Sequence, residues 1–265
     1  MRPLSGPVGR TDGRGGYLAM AALLILLTAG SHASAQTLTL VSSKDNTLYE
    51  DATGSLSNGA GANFFAGETG NGLIRRGLLA FDLSAIPTGA KIDSVALTLS
   101  MSRTVSGSET ISLYRVLADW GEGTSNATGQ EGAGAPATTN DATWIHRFYN
   151  TQTWATPGGD FASAASATRT VGGVGSYTWA STPQLVADVQ GWVDNPSTNF
   201  GWAVIGNESA ASTAKRFDTR ENPVAANRPS LFISYTVAAV PGPASLPIFA
   251  GGLCAGLGYL RRRCR

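Results

Sequence analysis

Cysteine and histidine are scarce in this sequence of 265 residues, and their scarcity excludes several kinds of site. The two cysteines, Cys254 and Cys264, lie close to the C-terminus, and the two histidines are His32 and His146. The long central region therefore has neither a cysteine zinc site nor a thiol nucleophile. A Ser-His-Asp triad there would have to use His146, and no Gly-x-Ser-x-Gly motif accompanies it.

The N-terminal segment has the three parts of a secretory signal peptide. Three arginines precede an uncharged apolar stretch, YLAMAALLILLTAG. The small residues Ala33 and Ala35 then match the requirement of signal peptidase, which predicts cleavage before Gln36. An uncleaved membrane anchor is the alternative, although the apolar stretch is short for a span. We therefore expect residues 1–35 to direct export.

The C-terminal segment, residues 240–265, combines a Pro-x-Pro motif, an uncharged stretch and a basic end. Pro241 and Pro243 form the motif, and 17 residues without a charge follow, from Ala244 to Leu260. As a helix this stretch would span about 25 Å, the low end for a membrane crossing. The basic end consists of Arg261, Arg262, Arg263 and Arg265. It predicts a cytoplasmic terminus, with the main domain outside.

This three-part arrangement resembles the PEP-CTERM sorting signal of Gram-negative bacteria. In that family an exosortase recognises and removes the tail, often in organisms that make exopolysaccharide or biofilm. The usual motif is Val-Pro-Glu-Pro, whereas here Gly242 stands in the place of the glutamate. The resemblance implies surface sorting, with at least transient anchoring in the inner membrane through the C-terminal helix. Simple anchoring without removal of the tail is the alternative.

Residues 36–239 have the length of one domain and an excess of negative charge. They contain 17 acidic and 12 basic residues, a net charge of −5, although the whole chain is formally +1. Nucleic acid binding needs a basic face that displaces counterions, so nucleic acid is excluded as a partner. Abundant Gly, Ser, Thr and Ala with few lysines are typical of an extracellular β protein with many turns.

Apolar residues recur with the period of β-strands through most of this domain. In KIDSVALTLSM, Val95, Leu97, Leu99 and Met101 point one way and the polar residues the other. The other predicted strands are RRGLLAFDLS, TISLYRVL, GSYTWAS, NFGWAVIGNE and SLFISYTV. Together they predict an all-β fold, a two-sheet antiparallel β-sandwich of the jelly-roll type.

One segment, STPQLVADVQGWVDNP, predicts a short helix of two turns. Thr182 is a suitable N-cap and Pro183 suits the first helical position. Leu185, Val189 and Trp192 would share one face, and Asn195-Pro196 would end the helix. Trp192 and Trp202 are predicted to lie in the core.

The order of these segments resembles that of the DNRLRE domain, a secreted β-sandwich module. The strongest match is RRGLLAFDLSAIPTGAKIDSVALTLS, and KDNTLYE, LVADVQGWVDNPSTNFGW and KRFDTREN stand in the family's order. The resemblance covers nearly all of Lys44 to Thr236. Some members resemble or serve as carbohydrate-binding modules of polysaccharide-degrading enzymes, and others stand alone on cell surfaces. The resemblance therefore implies a fold more than a function.

Polar, loop-like sequence around three tryptophans predicts a surface that binds extracellular polysaccharide. Flat aromatic faces stack on pyranose rings, and polar groups hold the hydroxyls. The candidate residues are Trp120, Trp144, His146, Arg147 and Trp154. The alternative, equally open, is that these tryptophans pin long loops onto the sandwich. If the glycan is acidic, Arg147 and Arg169 are candidate partners of its carboxylates.

Catalysis has weaker sequence support, and we expect a non-catalytic protein. A polysaccharide lyase could use His146, Arg147 and Tyr149, but strand alternation would point His146 away from the other two. The leading prediction is a surface-sorted carbohydrate-binding or matrix protein. The first alternative is a structural or adhesive surface protein without a sugar site, and the second alternative is a polysaccharide lyase.

Acidic residues in the loops offer a possible Ca²⁺ site without EF-hand spacing, and no other cofactor is expected. The candidates are Asp119, Glu122, Asp141 and Asp160. Loop capping by these carboxylates is the favoured alternative.

The segment KRFDTRE has alternating charged residues. Alternation would place Arg216, Asp218 and Arg220 on one face of a strand. We favour an ion-pair network between strands for these residues over a charged strip that faces a ligand.

Overall fold

A computed structural model describes residues 34–238, which form fifteen β-strands, one α-helix and two short 3₁₀ turns. The strands are β1 (Ser34–Val41), β2 (Lys44–Tyr49), β3 (Leu56–Ser57), β4 (Asn63–Glu68), β5 (Ile74–Ala80), β6 (Lys91–Thr104), β7 (Glu109–Arg115), β8 (Ala135–Pro136), β9 (His146–Phe148), β10 (Gln152–Thr153), β11 (Ala167–Val171), β12 (Gly175–Trp179), β13 (Trp202–Ile205), β14 (Lys215–Asp218) and β15 (Ser230–Val237). The α-helix is α1 (Pro183–Asp194), and the 3₁₀ turns are Pro196–Thr198 and Ala225–Asn227.

The predictions for the two ends of the chain fall almost entirely outside the described residues. Ala33, Pro241, Pro243 and the terminal arginines lie there. Ala35 and Gln36, which flank the predicted cleavage point, lie in β1 and pair with Thr236 and Tyr235 of β15. Between residues 34 and 238, no helix has the length and apolar character needed to cross a membrane.

Eleven strands form one antiparallel sheet that curls on itself, so the antiparallel β prediction is confirmed. The order is β1-β15-β6-β14-β4-β5-β13-β7-β11, with β12 paired to β6 and β2 to β5. The sequence predicted two separate sheets, but β4 joins the layers because its Asn63–Ala66 half pairs with β14 and its last two residues pair with β5. Gly67 stands at the change of partner with φ +119°, where an added Cβ would lie 2.9 Å from the Ala214 backbone.

The main core lies between the two layers of the curled sheet. Val95, Leu97, Leu99 and Met101 of β6 are all buried in it, as their alternation predicts. Trp192 and Trp202 are buried there too, which confirms their predicted place. Each such side chain contributes roughly 1.5–3 kcal/mol relative to an exposed position.

Helix α1 begins where the capping residues predict. The Thr182 hydroxyl accepts a hydrogen bond of 3.0 Å from the Leu185 backbone N–H, and Pro183 follows the cap. The helix ends before Asn195-Pro196, but it has twelve residues, three turns rather than the predicted two. Leu185 and Val189 are buried against the main core.

A second, smaller core covers the outer face of β2, β5 and β13. Its members are Leu48, Leu78, Ala80, Val116, Trp120, Ala142, Trp154 and Ala203. The neighbours of these strand residues, such as Leu79 and Val204, belong to the main core. This layer is thus apolar on both faces, which explains why RRGLLAF is a continuous apolar run rather than an alternating one.

Candidate functional site: an arginine groove

Two of the three candidate sugar-binding tryptophans are buried. Trp120 is 1% exposed and Trp154 is 4% exposed. Their indole nitrogens donate to the backbone oxygens of Phe200 (2.8 Å) and Thr143 (3.0 Å). Their ring faces are therefore not open for stacking on a sugar. Both side chains anchor loops to the outer face of the sheet, which was the alternative to sugar binding.

Trp144 is half-buried and borders a shallow depression of about 400 Å³. The Arg76 guanidinium lies 5.0 Å from the centre of its ring and also pairs with Glu208 at 2.7 Å. One ring face is thus already occupied by a cation that has its own counter-ion. The other lining residues are Glu50, Asp51, Ala52, Leu73, Ile145 and Pro157. This depression has an acidic rim, which repels an anionic polymer.

His146 and Arg147 of β9 both make contacts within the protein. The His146 ring lies 3.2 Å from the Thr143 hydroxyl and packs edge-on against Tyr149, with 5.5 Å between ring centres. Alternation had placed these two rings on opposite sides, but β9 ends at Phe148 and the chain then turns. Arg147 donates to the Asp119 backbone oxygen at 3.2 Å.

The four acidic loop candidates are not brought together. Asp119 pairs with Lys44 at 3.0 Å, and Asp160 accepts hydrogen bonds from two backbone N–H groups of its own loop. Asp141 accepts from the backbone and hydroxyl of Thr138, and burial raises its pKa. Within residues 34–238, Glu122 belongs to a cluster of three acidic side chains, whose other two members, Asp45 and Glu221, were not candidates. Asp141 and Asp160 thus accept hydrogen bonds from nearby loop residues, as expected if these carboxylates cap loops rather than bind Ca²⁺.

A groove on the outer face of β6, β14 and β4 brings three arginines together. Arg216 of β14 pairs in register with Arg103 of β6 on one side and with Phe65 of β4 on the other. Arg75 of β5 completes the set. The cavity between them measures about 190 Å³. We call these four residues, with Val105 at the rim, the arginine groove.

A β-bulge creates the arginine pair. Arg216 pairs with Arg103, while the next residue, Phe217, pairs with Met101, so one extra residue stands in β6. Phe217 and Met101 both point into the core. Without the bulge, the period of two would send Arg103 into the core after Met101; the bulge turns it outward instead.

The two paired arginines share a single neutral partner. Nη1 of Arg103 and Nη1 of Arg216 both donate to the side-chain oxygen of Gln130, each at 2.8 Å. Arg216 also donates to the Ser102 hydroxyl at 3.0 Å. Like charges opposite each other on neighbouring strands cost roughly 0.2–1 kcal/mol, and a single amide oxygen does not neutralise them.

Arg75 adds a third positive charge with no counter-ion in contact. It donates to the backbone oxygens of Ile74 and Gly132, and its guanidinium lies 4.8 Å from the Tyr49 ring centre. Burial lowers its pKa. Among residues 34–238, the ion pairs within 4.0 Å involve none of the three arginines.

Nearby carboxylates act on these arginines without contacting them: Glu50 and Asp51 act on Arg75, and Asp218 acts on Arg216. Asp218, two residues from Arg216, is buried and accepts from the Asn63 amide at 2.9 Å; burial raises its pKa. Glu131, beside Gln130, accepts from the side chain of Asn58 and the backbone of Asn63. Among the described residues, the three guanidinium groups therefore have no carboxylate within 4.0 Å, in a domain whose net charge is negative.

The groove has an apolar side as well. Phe65 forms its floor, and Val105 is 74% exposed at its rim. An apolar surface beside unpaired guanidinium groups suits a ligand that has both an apolar face and an anionic group.

Sequence reasoning missed most of this groove. It considered Arg216 within a strip with Asp218 and Arg220, but Asp218 is buried and Arg220 pairs with Glu122 and Glu221. The predicted ion-pair network therefore includes Arg220, whereas Arg216 faces the groove. The one available signal was the arginine at position 103, which breaks the apolar phase of β6.

Comparison with models of known protein families gives no match for this chain, and comparison with curated protein sequences gives none.

Proposed function

We propose that this protein is a non-catalytic surface or matrix protein that binds an anionic extracellular polysaccharide in the arginine groove. The observation that carries the proposal is the juxtaposition of Arg75, Arg103 and Arg216 without a carboxylate partner among the described residues. A uronate carboxylate or a sulfate ester would replace the shared Gln130 oxygen with charge-assisted, bidentate hydrogen bonds.

Sugar chemistry suits the apolar side of the groove. A pyranose ring has an apolar face of axial C–H groups, which can pack on the exposed Val105 side chain while its carboxylate meets the guanidinium groups.

We propose further that the domain is a jelly-roll sandwich of the DNRLRE kind, exported and sorted to the cell surface. The order of its sequence segments and its antiparallel β structure support the family assignment. The FDLS and Ile-Pro residues of the strongest matching stretch have structural positions, since Phe81, Leu83 and Ile86 are buried between β5 and β6. The signal peptide, exosortase processing and transient membrane anchoring are supported by sequence pattern only.

A glycan-binding assay with a matched charge control tests the proposal. The exported protein is titrated with polyuronate, a sulfated polymer and a neutral polymer, and the double variant Arg103→Gln/Arg216→Gln is compared with it. We expect the double variant to lose at least about tenfold in affinity for an anionic polymer, because hydrogen bonds to charged groups are worth about 1.5–3 kcal/mol. Lys91→Gln removes one positive charge from the exposed start of β6, far along the strand from Arg103, and should leave affinity unchanged.

The other outcomes favour the other functions. Absence of binding to every polymer would favour a structural or adhesive surface protein. Equal affinity for neutral and anionic polymers would indicate that the arginines are not the binding site. The Trp144 depression would then be the next position to test. Release of unsaturated sugar ends from the polyuronate would indicate a lyase, and His146→Ala would then be the variant to examine.

A further inference from the structure

Three carboxylates from distant parts of the chain meet at one side of the domain. Asp45 lies in β2, Glu122 at the start of the loop that spans residues 121–140, and Glu221 after β14. One oxygen of each lies within 4.8 Å of the others. Arg220 is the cation in contact with them, through Glu122 at 2.5 and 2.8 Å and Glu221 at 2.9 Å. Three negative charges and one positive charge leave the cluster at −2 when all are ionised.

Two carboxylate oxygens in this cluster have no hydrogen-bond donor. Asp45 is 0% exposed, and its Oδ2 accepts from the Ser42 hydroxyl and the Arg220 backbone N–H, both at 3.0 Å. Its Oδ1 has no partner, and neither does Oε2 of Glu221, which is also shielded from water. A buried carboxylate oxygen without a donor or a cation costs free energy that the fold must offset. The two orphaned oxygens therefore point to a missing positive charge.

We propose that Asp45, Glu122 and Glu221 form a Ca²⁺ site. Ca²⁺ is a hard cation that binds carboxylate oxygens from several parts of a chain, and loops commonly supply them. It would satisfy the two oxygens that lack donors and would balance the excess charge of −2. Metal–oxygen distances are about 2.3–2.6 Å, so one ion can contact oxygens that lie within 4.8 Å of one another.

The electrostatic surroundings of Asp45 are compatible with two occupants, a cation or a proton. Burial raises the pKa of the Asp45 carboxyl, and the neighbouring Glu221 and Glu122 carboxylates raise it further, against the backbone hydrogen bond from Arg220. The same residue would be ionised readily beside a divalent cation. A proton shared between Asp45 and Glu221 is the competing occupant, and the experiment below separates the two.

The site would tie the long loop to the sheet. Oε1 of Glu122 accepts from the Asp45 backbone N–H at 2.8 Å, and the Glu122 backbone oxygen accepts from the Asn46 amide at 2.9 Å. The same loop carries Gln130, which contacts the arginine groove. Bound Ca²⁺ would therefore hold the loop in place over β4 and β14. The inference does not depend on glycan binding, because its test measures metal and stability only.

The test uses the full chain after treatment with a chelator. Ca²⁺ is titrated by calorimetry at neutral pH, and Tm is measured with and without it, with Mg²⁺ as the comparison. We expect one Ca²⁺ per chain and a rise in Tm by several degrees. Asp45→Asn should weaken Ca²⁺ binding at least about tenfold and abolish the rise in Tm. Because an amide can donate to Glu221, this variant should remain folded without the ion.

Two further variants keep the test decisive. Glu221→Gln should also lose the Ca²⁺ response, and it serves if Asp45→Asn fails to fold. Asp160→Asn makes the same chemical change at a carboxylate that caps its own loop, and it should keep the full response. Absence of stoichiometric Ca²⁺ binding, or an unchanged Ca²⁺ response in both cluster variants, overturns the proposal. A chelated protein whose stability falls with rising pH and ignores Ca²⁺ overturns it in favour of the shared proton.

Discussion

The indole nitrogen of Trp202 donates a hydrogen bond of 3.0 Å to the Asp188 carboxylate, which links strand β13 to the buried face of helix α1. The same carboxylate accepts from Ser166 and from Gln184, and Arg115 lies 3.5 Å from it. A buried charge in an apolar core is tolerated here because several donors surround it. This connection fixes how the helix sits on the sheet.

Replacement of Asp188 should destabilise the fold. Asp188→Asn keeps the shape but puts an NH₂ group in place of one acceptor, so a buried donor loses its partner. We expect the free energy of unfolding to fall by about 1–3 kcal/mol in urea denaturation. Asp194→Asn, on the exposed last turn of the same helix, should change it by less than about 0.5 kcal/mol. Equal effects of the two variants would contradict the role assigned to Asp188.

The buried tryptophans should affect stability rather than binding. Trp154→Ala removes a ring from the second core and leaves a cavity, so we expect a loss of about 3–5 kcal/mol in the free energy of unfolding. Trp144→Ala removes a half-buried ring and should cost no more than about 2 kcal/mol. Chemical denaturation of both variants checks this. A stable Trp154→Ala variant with reduced glycan affinity would instead restore Trp154 as a sugar contact.

Asp141 should make stability depend on pH. Burial raises its pKa in the folded state, so the folded protein holds this proton more tightly than the unfolded chain does. Its contribution is fully present below the unfolded value, about 3.9, and is lost as the pH rises through the folded pKa. The stability of the natural protein relative to Asp141→Asn should therefore decrease as the pH rises from about 4. Parallel pH profiles of the two proteins would show that the folded pKa is not raised.

The arginine groove should distinguish guanidinium from ammonium groups. Arg103→Lys/Arg216→Lys keeps both charges but loses the planar fork that matches a carboxylate. If the proposed function holds, its affinity for polyuronate should lie between those of the natural protein and the double Gln variant. Binding should also weaken with added salt, because the groove is open to solvent. Full affinity in the Lys variant would mean that the ligand recognises charge alone.

Local patterns predicted a good part of the fold. Alternation identified β6 and β15, and the Thr182-Pro183 pair identified the start of α1, because strand period and helix capping depend on residues close together in the chain. The continuous apolar run of β5 was harder to interpret, since a strand buried on both faces loses its alternation. Nothing local indicated that β4 changes partners halfway along its length.

The site residues show the same limit. The tryptophans drew attention because they stand in polar sequence, but burial depends on what packs over a side chain, and here distant loops and strands cover Trp120 and Trp154. Arg75, Arg103 and Arg216 are separated by many residues and become neighbours only through strand pairing and one bulge.

The sequence by itself determined the periods of the strands, the cap of the helix, the negative charge of the central domain and the absence of thiol chemistry, because these follow from residue type and spacing. Only the tertiary structure decided which aromatic rings are covered, which arginines lack a counter-ion and which three carboxylates meet. These properties depend on contacts between residues far apart in the chain, and strand register sets those contacts.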